Sequence, residues 1–422
     1  MICVNCVTPQ ALKGLVARVG THQICQYCSD DEIAVEANVL FERILELVVE
    51  NTATEDDLSQ YEYWMLFEGG SDDIPIACLD VVLSEWLELG EEPYFEDLWS
   101  YASKELTTND RGMERHYFGD DGLLERNFFE SKWTNFIQGI KHSHRFFNAN
   151  AREFLDSVFV MVCDANNALK VECVRIIQKG EPLYRARSAS SREQVDKIRL
   201  APASELGPTP KDKAGSQRMT PNGISALYCA LERETCLSEI RSITGDNVVS
   251  VALTPIKSLK LLDLTKLNLI APPELTILDK GYLDSMHLKS FISSLVKKIS
   301  KPKGQNDELS YLSTQVVFEY LRLRFGNQVD GLVFPSVQTG ETGTNVVLFP
   351  EASSVSDKDH SIPSTAEFPL GQNGYEPGPT LYCIPDSLRY HKVIAIETRA
   401  EEYEFSEDLF LSDLHKKRLG RR

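Results

Sequence analysis

The sequence predicts an α+β protein in three parts: a four-cysteine knuckle, a helical bundle, and a C-terminal domain of mixed strands and helices. Three observations carry this. Two Cys-x-x-Cys pairs stand close together near the N-terminus. Apolar residues then recur at three and four spacing as far as about residue 160, the mark of amphipathic helices. From about residue 165 the pattern shifts to short runs that alternate or are continuously apolar, with helical stretches between them.

The knuckle occupies residues 1–30. Its pairs are "CVNC" (Cys3, Cys6) and "CQYC" (Cys25, Cys28), with 18 residues between them. Paired Cys-x-x-Cys units in a reducing compartment point to metal and not to a disulfide. Four thiolates at this spacing suit tetrahedral zinc and leave no coordination position open, so the expected zinc is structural. Such a site supplies folding energy to a segment too small to have its own core. Between the pairs, "QALKGLVARVG" has helical periodicity and ends at Gly20. His22 lies beside the second pair, but two complete pairs make a histidine ligand unnecessary. The other six cysteines (Cys78, Cys163, Cys173, Cys229, Cys236 and Cys383) lie mostly in apolar stretches and read as small buried hydrophobes.

Residues 31–165 form the expected helical domain. "EANVLFERILELVVENT", "IPIACLDVVLSEWLEL" and "REFLDSVFVMVCDANNAL" carry the helical pattern, and acidic turn-rich stretches such as "EGGSDD" and "FGDDG" connect them. An antiparallel bundle follows. Composition narrows function. The net charge of −19 over 422 residues excludes a general nucleic-acid binder, which needs a basic footprint. It leaves room for a small anion held in a local basic pocket. The longest apolar run, "FLDSVFVMVC", is too short to span a bilayer and contains an Asp. "MICVNC" shows neither the basic region nor the apolar core of a secretion signal, so the expected location is cytoplasmic, with no membrane partner.

The third part covers residues 166–398, followed by a charged tail at 399–422. Its expected strands are "PLYRAR", "ALYCAL", "NVVSVALT", "LKLLDLT", "DGLVFPSV", "NVVLFP" and "KVIAIET". Its expected helices are "ERETCLSEIRSI", "LDSMHLKSFISSLVKKIS" and "STQVVFEYLRLRF". Two polar loops, 203–217 and 351–380, interrupt the pattern. In "LYRARSA" the strand alternation puts Arg185 and Arg187 on one face. An isolated pair of this kind most often meets surface carboxylates. Its sharper use is to grip phosphate through the planar guanidinium fork.

Four segments in this order, "LYRAR", "RMTPNGISALYCALERETCLSEIR", "YLSTQVVFEYL" and "DGLVFPSVQTGETGTNVVLF", resemble the RES family, named for an arginine, a glutamate and a serine. The resemblance covers most of 170–395. It implies a fold similar to ADP-ribosyltransferase toxins and an NAD-consuming enzyme acting as a toxin or defence effector. NAD would be the substrate, and an antitoxin or regulatory protein a partner, with a homo-oligomer left open. By position the family arginine falls on Arg185, a second arginine on Arg218, the tyrosine on Tyr228, the glutamate on Glu239 and the serine on Ser336. Asn345 matches a polar position of the last block. The context of Arg218, "SQRMTPNG", departs from the usual glycine-arginine-aromatic-asparagine pattern. Thr314 and Gln315 form a family-like pair on a helix able to face the site. The helical region similarly resembles the HEPN class through "ESKWTNFIQGIKHSHRFFN", and Arg111 and His116 have the spacing of its arginine–histidine pair.

The chemistry agrees with these assignments. A pyrophosphate calls for charge-assisted contacts, which Arg185 and Arg218 supply. Nicotinamide leaves as a neutral base, so no general acid is needed. The positive charge that develops on the ribose calls for a preorganised carboxylate, Glu239. Tyr228 offers a face for stacking on nicotinamide or ribose, and Ser336 a hydroxyl for the carboxamide or ribose. A protein ADP-ribosyltransferase is the second reading. A catalytically inactive zinc-containing scaffold is the third, kept open by the context of Arg218.

Overall fold

A computed structural model describes residues 1–67, 75–120, 122, 127–270, 275–300, 309, 311–357, 378–396, 400, 402 and 406. The chain separates into two compact units, one of Met1–Lys132, Ala271–Phe291 and Glu401–Arg422, the other of Trp133–Ile270 and Ile292–Ala400.

In the first unit, β1 (Ile2–Cys3), β2 (Thr21–Ile24) and β3 (Asp31–Val35) form an antiparallel sheet in the order β1-β3-β2. Helix Gln10–Val19 buries Leu12 and Val16, one turn apart on the same face. It stops at Gly20, where a Cβ would fall 2.6 Å from the Val16 carbonyl oxygen and 2.9 Å from that of Ala34. Helix Ala37–Asn51 buries Leu40, Phe41, Ile44, Leu45, Leu47 and Val48, the apolar stripe expected of it. One hydrophobic cluster joins Ile2, Leu12 and Val16 to Leu40, Ile44, Val48, Leu83 and Tyr94.

That shared core changes the expected partition. The strand that completes the knuckle's sheet lies beyond residue 30, and the knuckle packs into the helical part instead of standing alone. Residues 133–165 group with the C-terminal unit, and 271–291 with the N-terminal one. Nor is the helical region a plain bundle. β4 (Ala53–Thr54), β5 (Ile76–Cys78) and β6 (His116–Phe118) make a second small sheet in the order β4-β6-β5. Apolar periodicity marks which residues are buried, but a three-residue strand is too short to show a period. Among the described residues no helix is long and apolar enough to cross a membrane. The tail from 399 lies almost wholly outside the described residues, as does the larger part of the 351–380 loop.

The second unit is built on ten strands: β7 (Val174–Ile177), β8 (Leu183–Ser188), β9 (Leu227–Ala230), β10 (Asn247–Pro255), β11 (Leu259–Asp263), β12 (Gly331–Ser336), β13 (Gly343–Leu348), β14 (Val355–Ser356), β15 (Leu381–Cys383) and β16 (Arg389–Lys392). Their order is β14-β15-β10-β8-β9-β13-β12-β11-β7, with β16 also on β10. All pairs are antiparallel except β11–β12 and β14–β15. Leu183, Leu227, Val249, Val251, Leu253, Leu261, Val333, Val346 and Leu348 share one core. The strand expected in "KVIAIET" stops at Lys392, leaving Ile394 and Ile396 exposed.

One junction in this sheet differs from the rest. β8 and β9 pair through a single residue pair, Tyr184 with Ala230, whereas β8 pairs with β10 over six. The two strands part beyond that pair. Helix Arg233–Glu239 follows β9 closely and packs against β8, β9, β10 and β13. Its close seat on β13 requires Gly343, where a Cβ would meet Thr235 Oγ1 at 2.1 Å and Cγ2 at 2.8 Å.

A Gly343→Ala substitution tests this seat. We expect a loss of about 1–3 kcal/mol from overpacking against a buried threonine, measured as a lower urea midpoint with an unchanged m-value.

Candidate functional site

Where β8 and β9 part, a cavity of about 270 Å³ opens, lined among others by Arg185, Arg218, Tyr228, Glu239, Arg241, Tyr311, Phe334 and Asn345. Its residues come from β8, β9, β12, β13, the helix Arg233–Glu239 and the residues just after it, the loop before β9, and Tyr311 at the start of helix Leu312–Phe325.

Glu239 is held by three side chains. Its Oε1 accepts from the Ser336 hydroxyl at 2.6 Å and from Asn345 Nδ2 at 2.7 Å, and Arg218 Nη2 lies 3.9 Å from its Oε2. The sheet supplies two of these partners by register. Ser336 ends β12 opposite Gly343, and Asn345 sits on β13 between Phe334 of β12 and Ala230 of β9. The helix that carries Glu239 is fixed at its start. The Arg233 guanidinium lies 4.7 Å over the Tyr184 ring, donates to the Ser250 hydroxyl, and donates to the Ser387 carbonyl at 3.2 Å. Glu232 accepts from Thr235 Oγ1 and from the Thr344 backbone, each at 2.9 Å. A carboxylate at the other end of a seven-residue helix is thus aimed by both faces of its surroundings.

Arg185 donates from Nη1 to the Tyr228 carbonyl at 2.6 Å, standing in for a ladder bond that the parted strands do not make. Its neighbour on the same face, Arg187, is spent on Glu205, on the carbonyl and the carboxylate at 3.0 Å each. Arg218 sits with its guanidinium 5.9 Å from the Phe334 ring. The Tyr228 hydroxyl accepts from the Met219 backbone at 3.0 Å and lies 3.3 Å from Thr220 Oγ1. Burial pushes its pKa upward, so it serves as a neutral hydroxyl. Cys229 and Cys236 also line the cavity. Burial pushes both thiols up to about 12, which makes them poor nucleophiles at neutral pH.

The structure therefore brings Arg185, Arg218, Tyr228, Glu239 and Asn345 to one cavity. Ser336 joins them indirectly. It is fully buried, does not line the cavity, and gives its hydroxyl to the Glu239 carboxylate. Arg241 is a residue that sequence reasoning passed over. It lines the cavity with an exposed side chain just past the end of the helix, in the left-handed region at φ 54°. Glycine is the usual residue there and an arginine is strained. The signal in the sequence was an arginine two positions after the family glutamate. Three arginines and one glutamate thus line one cavity, an arrangement suited to a ligand with more than one negative charge. Arg111 lies in a turn and His116 on β6.

A larger groove of about 950 Å³ lies along helices Ala149–Phe159 and Leu312–Phe325 of the same unit. Its main polar groups are already engaged with one another, Tyr320 with Asp156 at 2.7 Å and Arg324 with Asp156 at 3.3 Å.

The domain is thus a mainly antiparallel sheet, parted at its middle over a cavity lined by three arginines and one bonded glutamate. Residues 182–370 of this unit match the RES domain family, a span that covers less than half of the chain. No curated protein matches the chain.

The first unit holds a second site. Cys3, Cys6, Cys25 and Cys28 are all free thiols, and their sulfurs lie within 4.8 Å of one another. Cys3 Sγ is 3.5 Å from Cys28 Sγ, and Cys25 Sγ is 3.8 Å from Cys6 Sγ. Sulfurs at about 2.3 Å from a tetrahedral zinc stand roughly 3.8 Å apart, so the four fit the ion. The Cys6 thiol is pushed up by burial and by the neighbouring thiols. Burial opposes ionisation of Cys25 as well, but the backbone N–H groups of Cys28 and Tyr27 outweigh it and draw that thiol down to about 6. One metal ion per chain is the expected result of elemental analysis. Cys25→Ser should lose the metal and lower the unfolding temperature of the first unit, because binding energy here is folding energy. A metal-free preparation with full stability would contradict the assignment.

Proposed function

We propose that the second unit consumes NAD by breaking the bond between nicotinamide and ribose, and that the chain acts as a toxin or defence effector. The observation that carries this reading is Glu239, held by Ser336 and Asn345 at the wall of a cavity that three arginines also line. Arg218 and Arg241, with Arg185 behind them, face the pyrophosphate, and Tyr228 offers its ring to the nicotinamide ribose. The cavity is slightly smaller than the usual range for small-molecule pockets, about 300–1,000 Å³. It would therefore take one end of a dinucleotide, with the rest lying across the open mouth.

In the reaction the glycosidic C–N bond breaks and its electron pair leaves with nicotinamide, which becomes neutral. The ribose carbon acquires positive charge. Glu239 stabilises that charge because its carboxylate is already oriented and needs no rearrangement. Ser336 and Asn345 keep Oε1 in place, and Arg218 steers Oε2. A water molecule, or phosphate in a phosphorylase, then forms the new C–O bond on the ribose carbon. With water, its proton passes to solvent. A protein side chain in the same place would make the enzyme an ADP-ribosyltransferase. In the first unit the zinc is structural.

Glu239→Gln is the decisive variant. The Gln carbonyl oxygen can still accept from Ser336 and Asn345, so folding should be preserved while the charge is lost. We expect turnover of NAD, followed as nicotinamide release, to fall about a hundredfold or more with the unfolding temperature little changed. Wild-type turnover in this variant would end the reading. Labelled NAD in a cell lysate separates the acceptors, free ADP-ribose or ADP-ribosyl phosphate on one side and modified protein on the other. Arg185→Ala should lower both turnover and unfolding temperature, because its guanidinium also bridges the parted strands. Arg185→Lys should recover little of either.

A further inference from the structure

The loop that delivers Arg218 has almost no regular structure of its own. Between helix Pro202–Leu206 and β9 the only element is the single turn Lys211–Lys213. Around Arg218 its backbone closes on itself through Gly223 N–H to the Ala214 carbonyl at 2.9 Å and, inside that, Gln217 N–H to the Thr220 carbonyl at 2.8 Å. The second closure leaves Arg218 and Met219 at the tip. A hairpin this short is weak by itself in water, so something else must hold Arg218 toward the cavity.

We infer that Gln315 is a positioning residue for Arg218. It lies in the first turn of helix Leu312–Phe325 and is only 8% exposed. Its Nε2 faces three oxygens of the loop: Ser216 Oγ at 2.9 Å, the Gln217 carbonyl at 2.8 Å and the Thr220 carbonyl at 3.2 Å. Two of these belong to the residues that close the tip, so one amide group locks the turn on both sides of Arg218. From the sheet, the Tyr228 hydroxyl takes the Met219 N–H. Arg218 is thus gripped between a helix and a strand, and its Nη2 reaches Glu239. The side chain must be an amide of this length. Asparagine is one carbon short, leucine brings no donor, and glutamate would set an acceptor against the two backbone carbonyls, with only the Ser216 hydroxyl able to donate to it.

This inference rests on the proposed role of Arg218 in binding diphosphate, and its test separates the two. Hydrogen exchange on the full chain reads the clamp without any ligand. The Gln217 and Met219 amides should be protected in wild type and should exchange at least tenfold faster in Gln315→Leu and Gln315→Glu, while amides of β10 and β12 stay protected. Unchanged exchange at the loop would overturn the inference. Binding of ADP-ribose, measured by calorimetry, reads the consequence. Gln315→Leu and Arg218→Ala should each weaken binding about tenfold or more. The double variant should be no weaker than Arg218→Ala alone, because one effect acts through the other. Additive losses would mean that Gln315 acts by a separate route and would also overturn it. If wild type binds no ADP-ribose and loop exchange still responds to Gln315, the clamp stands and the diphosphate reading falls.

Discussion

The site depends on the parting of β8 and β9 after their one shared pair, Tyr184 and Ala230. Two neighbouring strands in the middle of a sheet normally satisfy each other's backbone groups along their whole length. Here they stop after one pair, and the unmet Tyr228 carbonyl takes its bond from the Arg185 guanidinium. Burying a backbone carbonyl without a donor costs about 1–3 kcal/mol, so the arginine is as much part of the sheet as of the cavity. Because the strands part, side chains from both can face the same space. Continued at the register of Tyr184 and Ala230, the ladder would pair Arg185 with Cys229 and Ala186 with Tyr228 and leave no room between the strands for a ligand.

Glu239 is the counterpart of that opening. It stands on a short helix whose start is tied to β8, β10 and β13 through Arg233 and Glu232. Its carboxylate closes onto Ser336 and Asn345, which the register of β12 and β13 places side by side. Preorganisation of this kind serves catalysis, since a charge already in position spends nothing on reorganising when the transition state forms. It also explains the mixed character of the serine. Its hydroxyl has no solvent exposure and is given to the Glu239 carboxylate, so what it does in this structure is hold that residue.

The N-terminal unit follows a different logic. Its knuckle has a few short strands and one helix of ten residues, and its sulfur cluster stands where a core would otherwise be needed. Yet Ile2, Leu12 and Val16 belong to the same apolar cluster as helix Ala37–Asn51. The cysteine site and the hydrophobic core therefore support one another, and the knuckle is an anchored part of a larger body.

Much of this was legible in the linear sequence. The cysteine pairs stood out because two cysteines on one turn are neighbours in the chain. The major strands of the second unit showed because alternation and apolar runs are local properties. Arg185, Arg218, Tyr228, Glu239 and Asn345 were found from the order of short motifs, and all five line the cavity. The two small sheets and the boundaries between units were not legible, since strands of two or three residues carry no period and a shared core leaves no mark in composition. Nor was the division of labour within the site. Ser336 and Asn345 are 97 and 106 residues from Glu239 in sequence, and Gln315 is 98 from Gln217. Which of them meets the ligand and which holds another side chain is decided by strand register and helix packing. Those are settled only when distant segments are buried together, and no local pattern of residues records them.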